Sequence, residues 1–492
     1  MSNYIKRKCL VLFYIAAIFI GGCFPENSLK WSNDGSVGVL CYDNILALVD
    51  GKTDTLTKIC EFEKENNPFQ TICISEDGKL IAYVMSQKCE SLDEGLKLLP
   101  QNQVELIKEA AEYAKELILL GQTDFEKMDL GPFRGEPTIN WVIRYLSENS
   151  NPSLIEQLGS DTIEEGKESD IIIYKLFAAT PEQISENRPE LVTTSLAVIC
   201  WPQISPDNKF ISYTSWNGVF DDNKEENSLR FDLYIASIKS DSKTIDVAEY
   251  VTPQYSWRRD SKAITFIEKQ AKDVFEDEYS LGVLRTAEVA DENDNLLTAS
   301  EQSAIAAYSC GGKKSDLAGV IFHPFMKVQY STSGKIFFSS HIMNFPMSNI
   351  DDEPRWSLFS YDDDTGSISE ILPRDVSFNL GGDNAMGYFD LSPDRKKALL
   401  PIANYRFMIY ELGKTFAINP ATEPETQRNF SQDNSWDMMP SWKGNDEISC
   451  FANNKIQFPS KDNKESYNFN EEIVILKSNG EFDRVLSENW PD

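Results

Sequence analysis

Histidine is scarce in this sequence, since the 492 residues include only two, His323 and His341. No H-x-x-x-H or C-x-x-C spacing occurs, so the common zinc-binding patterns are missing. The G-x-S-x-G turn that carries the nucleophile of α/β-hydrolases is missing too. We therefore predict no catalytic residue, no cofactor and no metal site, and we expect both histidines to have structural roles.

Long apolar runs are missing as well, with one exception near the N-terminus. The run Cys9 to Ile20 has about twelve residues, which is short for a membrane span but typical of the core of a signal peptide. The basic segment Lys6–Lys8 precedes this run, and the sequence I-G-G-C closes it at Cys23. The N-terminus therefore indicates an exported chain.

The I-G-G-C sequence resembles the processing site of bacterial lipoproteins. The resemblance implies cleavage before Cys23 and lipid attachment to its sulfur. Residues 1–22 are then a lipoprotein signal peptide, and residues 23–30 are a tether that reaches less than about 30 Å. An ordinary signal peptide with a chance cysteine is the alternative. Phe24 follows in place of the Asp that retains enterobacterial lipoproteins at the inner membrane, so the outer membrane or the cell surface is favoured.

Basic residues are few relative to acidic ones, with 47 Lys and Arg against 78 Asp and Glu and a formal net charge of −31. Such a surface repels nucleic acid and anionic lipid headgroups. We therefore predict no nucleic-acid partner. A cationic partner is favoured only weakly, because a high net charge also serves solubility.

Cysteines do not form a recognisable framework. After Cys9 and Cys23 are set aside, an odd number remains, so they cannot all pair. Three of them, Cys41, Cys73 and Cys450, fall in predicted core strands, where a thiol behaves as a small apolar group. One disulfide is still compatible with an exported protein, with Cys60 and Cys73 as the candidate pair.

One short pattern recurs along the chain. Residues Ile204–Tyr213 read ISPDNKFISY, and Ile74–Tyr83 read ISEDGKLIAY. Related segments bring the number of copies to about seven, which suggests a repeat architecture. The copies begin at Lys30, Ile72, Pro202, Pro253, Val328, Tyr388 and Pro440.

The chemistry of each copy predicts a hairpin. An apolar residue ends one strand, Asp or Asn forms a turn, and alternating apolar residues begin the next strand. The last turn position is Gly35, Gly78, Asn208 or Gly334 in four copies, and these residue types adopt positive φ readily. Arg395 departs from that pattern.

Four strands for each of seven copies is the composition of a β-propeller. We therefore predict an all-β fold in which residues 31–490 form a β-propeller, with seven four-stranded blades. The repeats resemble the WD40-like PD40 repeat of TolB-like propellers. That resemblance implies the fold but no particular function, because propellers carry many activities.

A long interval between the second and third copies predicts an insertion in the second blade. Residues 91–166 fill it, and two segments in this region have helical periodicity, Asn102–Gly121 and Glu136–Asn149. A propeller closes without such a module. We therefore predict that the insertion projects from one face and offers a partner surface, while capping of a blade edge is the alternative.

Other polar and aromatic segments are less informative. The acidic segments Tyr361–Ser367, Ala290–Asn295 and Asn217–Asn227 lack the spacing of calcium-binding EF-hand loops and are predicted to be turns or loops. Four tryptophans lie near predicted blade edges, where they serve either as partner contacts or, more commonly, as core between blades. They are Trp201, Trp216, Trp257 and Trp356.

These observations favour a membrane-anchored lipoprotein whose propeller is a non-catalytic scaffold in the cell envelope. Its expected partner is an envelope protein, a peptide or a glycan, and the lipid anchor at Cys23 holds it to the membrane. The alternative is a propeller enzyme, either a polysaccharide lyase or a glycan-active hydrolase. That alternative requires loop acids with His323 or His341 clustered at the central channel.

Overall fold

The computed structural model describes most of the repeat region together with the helical insertion. Cys23, His323 and the N-terminal segment lie outside the described residues. The described residues are 28–42, 45–61, 71–125, 128, 130, 133, 136–150, 153–154, 157, 170–186, 188–220, 227–238, 244–269, 280–306, 308–310, 316–319, 321–322, 327–331, 334–344, 355–362, 365–371, 389–402, 406–412, 440–458, 465–479 and 481–486.

The first two sheets are four-stranded antiparallel meanders, in which neighbouring strands along the chain are also neighbours in the sheet. Sheet 1 contains β1 (Ser28–Trp31), β2 (Val37–Tyr42), β3 (Ile45–Asp50) and β4 (Thr55–Glu61). Sheet 2 contains β5 (Ile72–Ile74), β6 (Ile81–Cys89), β7 (Ile171–Ala179) and β8 (Glu190–Ser195). In both sheets, a copy of the repeat joins the first strand to the second.

Sheet 3 has nine strands, because two four-stranded meanders join edge to edge, through Val251 opposite Glu268, and one further short strand pairs with the second meander. The first meander contains β9 (Val198–Ile204), β10 (Phe210–Phe220), β11 (Asn227–Ser237) and β12 (Thr244–Val251). The second contains β13 (Ser256–Trp257), β14 (Ala263–Lys269), β15 (Ser280–Ala290) and β16 (Leu296–Ala306). The ninth strand, β19 (Ile321–Phe322), pairs with β15.

The remaining three sheets repeat the same plan. Sheet 4 contains β17 (Tyr308–Cys310), β18 (Asp316–Gly319), β20 (Val328–Tyr330), β21 (Lys335–Asn344), β22 (Arg355–Asp362) and β23 (Ser367–Glu370), and β19 spans Ile321–Phe322. Sheet 5 contains β24 (Asp390–Leu391), β25 (Lys397–Ile402) and β26 (Arg406–Glu411). Sheet 6 contains β27 (Ser441–Lys443), β28 (Glu447–Phe458), β29 (Glu465–Lys477) and β30 (Phe482–Val485).

Serine and aspartate side chains close the repeat turns. In the turn after β1, Ser32 Oγ donates to Asp34 Oδ1 (2.7 Å) and accepts from the Val37 amide (3.2 Å). The same two bonds recur in the turns at Ser75, Ser205 and Ser392. The predicted positive φ is confirmed at Gly35, Gly78, Asn208 and Gly334, with values between 61° and 81°, and Arg395 takes φ 58° at the same position.

The strand that precedes each repeat turn contacts its counterparts in neighbouring meanders, and we call these the inner strands: β1, β5, β9, β13, β20, β24 and β27. Hydrogen bonds join each inner strand, or its turn, to the next one along the chain. The last of these bonds joins β27 back to β1 and closes the circle. The linked pairs are Asn33 with Glu76, Asn208 with Asp77, Gln203 with Tyr255, Tyr330 with Ser256, Leu391 with Gln329, Trp442 with Asp390, and Ser441 with Leu29. The mostly antiparallel sheets therefore form a ring, as in a β-propeller.

The predicted count of seven complete four-stranded blades does not match the sheets. Five of the six sheets in the described part of the chain have four or more strands, and sheet 5 has three. Two physical features account for the difference. The hydrogen bonding between β12 and β14 fuses two meanders into sheet 3, and the segment that follows β26 lies outside the description.

An ion-pair network closes the ring between the last sheet and the first. Lys443 Nζ lies 3.3 Å from Asp54 in the β3–β4 turn and 3.1 Å from Glu447, and its side chain is only 3% exposed. Arg484 of β30 also pairs with Asp54 and with Glu447. The Lys443 ammonium lies 5.0 Å from the centre of the Trp31 ring. The pairs of Asp54 with Lys443 and with Arg484 join residues more than 380 positions apart in the chain.

The insertion is a helical module with its own apolar core. Helices α1 (Leu92–Leu98), α2 (Gln101–Leu119) and α3 (Glu136–Asn149) lie between β6 and β7, and a short helix, α4 (Pro181–Ser185), follows β7. Helices α2 and α3 cover the two segments with helical periodicity. The helices in the described part of the chain are too short or too polar to cross a membrane.

The candidate disulfide between Cys60 and Cys73 is not formed, because both residues are free cysteines. Cys60 lies in β4, the outermost strand of sheet 1, whereas Cys73 lies in β5, an inner strand of sheet 2. Cys41 and Cys450 are buried in the core, as expected. Burial raises the pKa of the Cys73 thiol to about 12, so this residue is a neutral, partly buried side chain.

Candidate functional site

Strand direction gives the ring two distinct faces. Because alternate strands of an antiparallel meander run in opposite directions, the connections after first and third strands share one face. We call this the turn face, since it carries the repeat turns. The helical module follows a second strand and therefore lies at the opposite face, the module face. Thr194 Oγ1 donates to the Leu98 carbonyl (2.8 Å), and Gln103 Oε1 accepts from the Leu196 amide (3.1 Å), which fixes the module over the β8–β9 connection.

Each inner strand contributes one side chain at an equivalent position near the axis of the ring. Most of these side chains are uncharged, and several bond to the backbone of the next inner strand: Gln203 Nε2 donates to the Tyr255 carbonyl at 2.7 Å. Lys30 and Asp390 are the two charged members. The seven residues, which we call the axial ring, are Lys30, Cys73, Gln203, Ser256, Gln329, Asp390 and Ser441.

Charges from distant sheets meet at this axial ring. Lys327, two residues before Gln329, places its ammonium 3.1 Å from Asp390 Oδ1. The charges of Asp390 and Lys327 both act on Lys30. Lys30 belongs to sheet 1, whose neighbours in the ring are sheets 2 and 6, whereas Lys327 and Asp390 belong to sheets 4 and 5. Only the axis of a ring brings such residues together.

The Lys30 ammonium lies in an environment that disfavours its charge. Removal from bulk water lowers the pKa of Lys30 to about 8, and the positive charge of Lys327 adds to this effect while Asp390 opposes it. Burial also lowers the pKa of Lys327, again opposed by Asp390. Among the described residues, Lys30, Lys327 and Asp390 thus bring two amines and one carboxylate to the axis of a strongly acidic chain.

Arg395 adds a further cation at the turn face. Burial lowers the pKa of its guanidinium, and the Glu76 carboxylate, 3.9 Å away, opposes that shift. Its side chain is 15% exposed. Arg395 thus joins the turn of sheet 5 to that of sheet 2 across the ring, although its residue type departs from the glycine that the repeat favours there.

Helix α2 presents the second unusual surface. Five large apolar side chains in the described part of the chain are exposed, and four of them lie in or directly after this helix: Leu106, Tyr113, Leu119 and Leu120. Leu106, Tyr113 and Leu120 recur every seven residues, so they form one stripe along the helix. The opposite side of α2 is buried through Val104, Ile107, Ala111, Ala114 and Ile118. Exposed glutamates flank the stripe, namely Glu105, Glu109, Glu112 and Glu116.

The side chains of the two histidines weighed for catalysis are not described, and His323 lies outside the described residues altogether. His341 lies in β21, opposite Trp356 of β22, and the structure does not describe either side chain. Within the described residues, no group of three or more His, Cys, Asp or Glu side chains has a metal-binding arrangement.

The acidic segments take structural positions where they are described. Asp291 and Asp294 belong to the β15–β16 turn, where Asp294 pairs with Lys209 and Lys262. Asp362 caps the β22–β23 turn by accepting from Thr365. Part of the segment 217–227 lies outside the described residues.

The described tryptophans of the four candidates are core or near-core side chains. Trp201 and Trp257 are 4% and 5% exposed, and Trp257 Nε1 donates to Ser212 Oγ at 2.8 Å. Trp216 packs at the edge of the same core. These tryptophans therefore pack between sheets. Tyr113 of α2 is the aromatic side chain that is exposed instead.

Sequence reasoning missed the axial ring, helix α1 and helix α4. Alignment of the repeat copies offers the signal for the ring, because the residue one before the strand-ending apolar position is polar or charged in six of the seven copies, with Cys73 as the exception. Capping patterns signal the helices: Ser91 with Glu94 begins α1, and Thr180 with Gln183 forms a capping box at α4.

No protein-family model matches the sequence, and no curated protein matches it. Among solved structures, the tricorn protease aligns with 81% of this chain over 30% of its own length (TM-score 0.37, 11% identity). An oligogalacturonate lyase from Vibrio parahaemolyticus aligns over 75% of this chain and 72% of its own (TM-score 0.40, 11% identity). A TolB candidate from Agrobacterium tumefaciens aligns over 79% and 90% (TM-score 0.31, 14% identity). At these values, no activity or partner is transferred to this chain.

Proposed function

We propose that this protein is a lipid-anchored, non-catalytic binding protein of the cell envelope, and that α2 of the helical module docks a partner protein. The observation that carries the proposal is the concentration of exposed apolar side chains on α2. Contiguous exposed apolar surface is rare on soluble proteins and commonly marks interaction sites. If the same side chains were scattered singly over the ring, their exposure would be ordinary and would not indicate an interaction site.

The stripe on α2 also suggests the chemistry of its partner. Leu106, Tyr113 and Leu120 offer a line of apolar anchors about 20 Å long, since each residue of a helix rises 1.5 Å. The glutamates beside them favour a partner segment with apolar side chains flanked by lysine or arginine. Such charges at the edge of an interface act mainly on the association rate and its salt dependence.

The inner strands support a ring of seven blades as part of this proposal. Sheet 3 would supply two blades, β9–β12 and β13–β16, since each half is a complete meander that starts with its own repeat turn. Sheet 5 would be a blade with three described strands. A crystal structure of the protein tests this count of blades, and it should show a fourth strand after β26 in sheet 5.

The anchor at Cys23 would orient the body at the membrane. A tether of residues 23–30 is short, so β1 and its sheet would lie near the lipid surface. The Cys23→Ser variant is expected to move from the membrane fraction to the soluble fraction and to lose incorporation of labelled palmitate. Retention of the variant in the membrane would contradict the anchor without affecting the docking surface.

Docking is tested with a triple variant of the stripe, Leu106→Ser, Tyr113→Ser and Leu120→Ser. Leu191→Ser is the matched control, because Leu191 is 52% exposed but lies on β8, outside the module. Chemical crosslinking in intact envelopes, followed by mass spectrometry, should give crosslinks from α2 to one partner in the wild type and in the control. The triple variant should lose them. Equal crosslinking of all three proteins would refute docking by α2.

A further inference from the structure

Among the described residues, Lys327 and Lys443 of the ring have carboxylate partners, whereas Lys30 has none. Lys327 pairs with Asp390, and Lys443 pairs with Asp54 and Glu447. For Lys30, the described part of the chain shows no hydrogen bond and no ion pair, although the charges of Asp390 and Lys327 act on it. An ammonium that has lost much of its hydration without gaining a partner is costly, and a compensating ligand would remove that cost.

A second polar group beside Lys30 is also unsatisfied. Ser28 is 4% exposed, and its Oγ has no hydrogen-bond partner among the residues that the structure describes. Ser28 and Lys30 are two residues apart on β1, so their side chains leave the strand on the same side. Buried hydroxyl groups are normally hydrogen-bonded, so an orphaned one points to a missing partner. One strand therefore presents an ammonium and a hydroxyl donor, both without an acceptor.

The balance of charge at the axis indicates the class of ligand. Lys30 and Lys327 bring two positive charges and Asp390 brings one negative charge, so a monoanion would neutralise the excess. A dianion such as phosphate or sulfate would leave a negative charge next to Asp390 in a poorly hydrated position. Cys73 adds no charge, because burial keeps its thiol neutral.

We propose that the axis of the ring binds a small carboxylate monoanion, with Lys30 Nζ and Ser28 Oγ as the donors to its two oxygens. Lys327, held by Asp390, supplies a second positive charge nearby without bonding to the ligand. Ser28 lies nearer than Lys30 to the start of β1, on the side of the module face, so the site opens toward the face that carries α2. This site stands on observations independent of the docking surface.

The proposal predicts a pH dependence with a definite sign. The ligand binds the charged form of Lys30, so binding raises the pKa of that ammonium above its free value of about 8. Affinity should be constant between about pH 6 and pH 7, where the carboxylate is fully ionised, and fall by roughly tenfold per pH unit above pH 8. Of the groups that face Lys30, Lys327 would act in the same direction because burial lowers its pKa too. Cys73 does not titrate in this range.

Sodium acetate is the probe, titrated calorimetrically into the full mature chain against sodium chloride at equal ionic strength. Acetate should bind in a saturable way, and phosphate and sulfate at least tenfold more weakly. The Lys30→Met variant should lose binding, and Ser28→Ala should weaken it several-fold. Lys79→Met is the matched control, because it removes one positive charge from a side chain that is 78% exposed, and it should bind like the wild type.

Three results would overturn the site: equal heats for acetate and chloride, full affinity in Lys30→Met, or an affinity that stays constant from pH 7 to pH 9. The pH series on the wild type decides the question even if Lys30→Met does not fold. The triple variant of the α2 stripe should keep acetate binding, and Lys30→Met should keep its α2 crosslinks. Failure of either proposal is therefore visible separately from failure of the other.

Discussion

Removal of one carboxylate from the ring closure should destabilise the protein far more than removal of a surface carboxylate. In the Asp54→Asn variant, the Lys443 ammonium, 3% exposed, keeps only Glu447 at 3.1 Å, and Arg484 loses the same partner. Loss of one member of a buried ion pair costs about 3–5 kcal/mol when the other charge is left alone. Because Glu447 remains, we expect a loss of about 2 kcal/mol in the free energy of unfolding.

Substitution of Lys443, which pairs with Asp54, should change the free energy of unfolding much less. Lys443→Met replaces the ammonium by an apolar side chain of similar length against Trp31, while Arg484 still neutralises Asp54 and Glu447. Replacement of a buried ion by a packed apolar group is often neutral, so we expect a change within about 1 kcal/mol. The double variant should then show a coupling of about 1–2 kcal/mol between the two positions.

Urea denaturation followed by tryptophan fluorescence measures these differences, with Asp93→Asn as the control. Asp93 pairs with Lys97 on the surface of α1, where both side chains are more than 70% exposed, so its loss should cost less than about 0.5 kcal/mol. If Asp54→Asn unfolds at the same urea concentration as Asp93→Asn, the reasoning about ring closure is wrong.

The pH dependence of this difference has a fixed sign. Burial alone would raise the pKa of Asp54 and of Glu447, but the hydrogen bonds and charges of Arg484 and Lys443 outweigh it and lower both. Groups with a lowered folded-state pKa stabilise above their unfolded pKa. The wild-type advantage over Asp54→Asn should therefore be full at pH 7 and shrink as the pH falls below about 4.

Three glycine substitutions offer further tests. Gly95→Ala would put a Cβ 2.7 Å from the ring of Trp141, so it should destabilise the helical module by about 1–3 kcal/mol despite the better helix propensity of alanine, seen as faster hydrogen exchange in α3. Gly78 and Gly334 both have positive φ, but only at Gly78 would a Cβ meet a neighbour, at 3.1 Å. Alanine should lower the free energy of unfolding by about 1 kcal/mol at Gly334 and by more at Gly78, as measured by thermal unfolding. Equal losses at the two positions would mean that backbone strain, and not the contact at Gly78, accounts for the cost.

Local chemistry in the sequence was sufficient to predict the repeat turns. The Ser-x-Asp pairs and the positive-φ positions follow from short-range steric rules, and they recur in the structure because each turn involves only neighbouring residues. Even Arg395 adopts the conformation that the repeat demands, although its residue type gave no sign of it. Helix α3 likewise has the bounds that its periodicity indicated.

The candidate sites depend on distances along the chain that local rules do not cover. Lys30 and Asp390 look unremarkable in the sequence, and they meet only because seven inner strands surround one axis. The same holds for the fused sheet 3, since one hydrogen-bonded pair between β12 and β14 changes the sheet count without any distinctive residue. The exposure of Leu106 and Tyr113 required knowledge of which side of α2 packs on the ring.

The contact between the first and last sheets also governs when the structure can form. Trp31 donates to Ser449 across 418 positions of sequence, and Ser441 bonds to Leu29 across 412. Contacts of such sequence separation slow folding, because the loop they close is nearly the whole chain. During synthesis from the N-terminus, the middle sheets can assemble early, yet the first sheet must wait for its neighbour until the last fifty residues have been made.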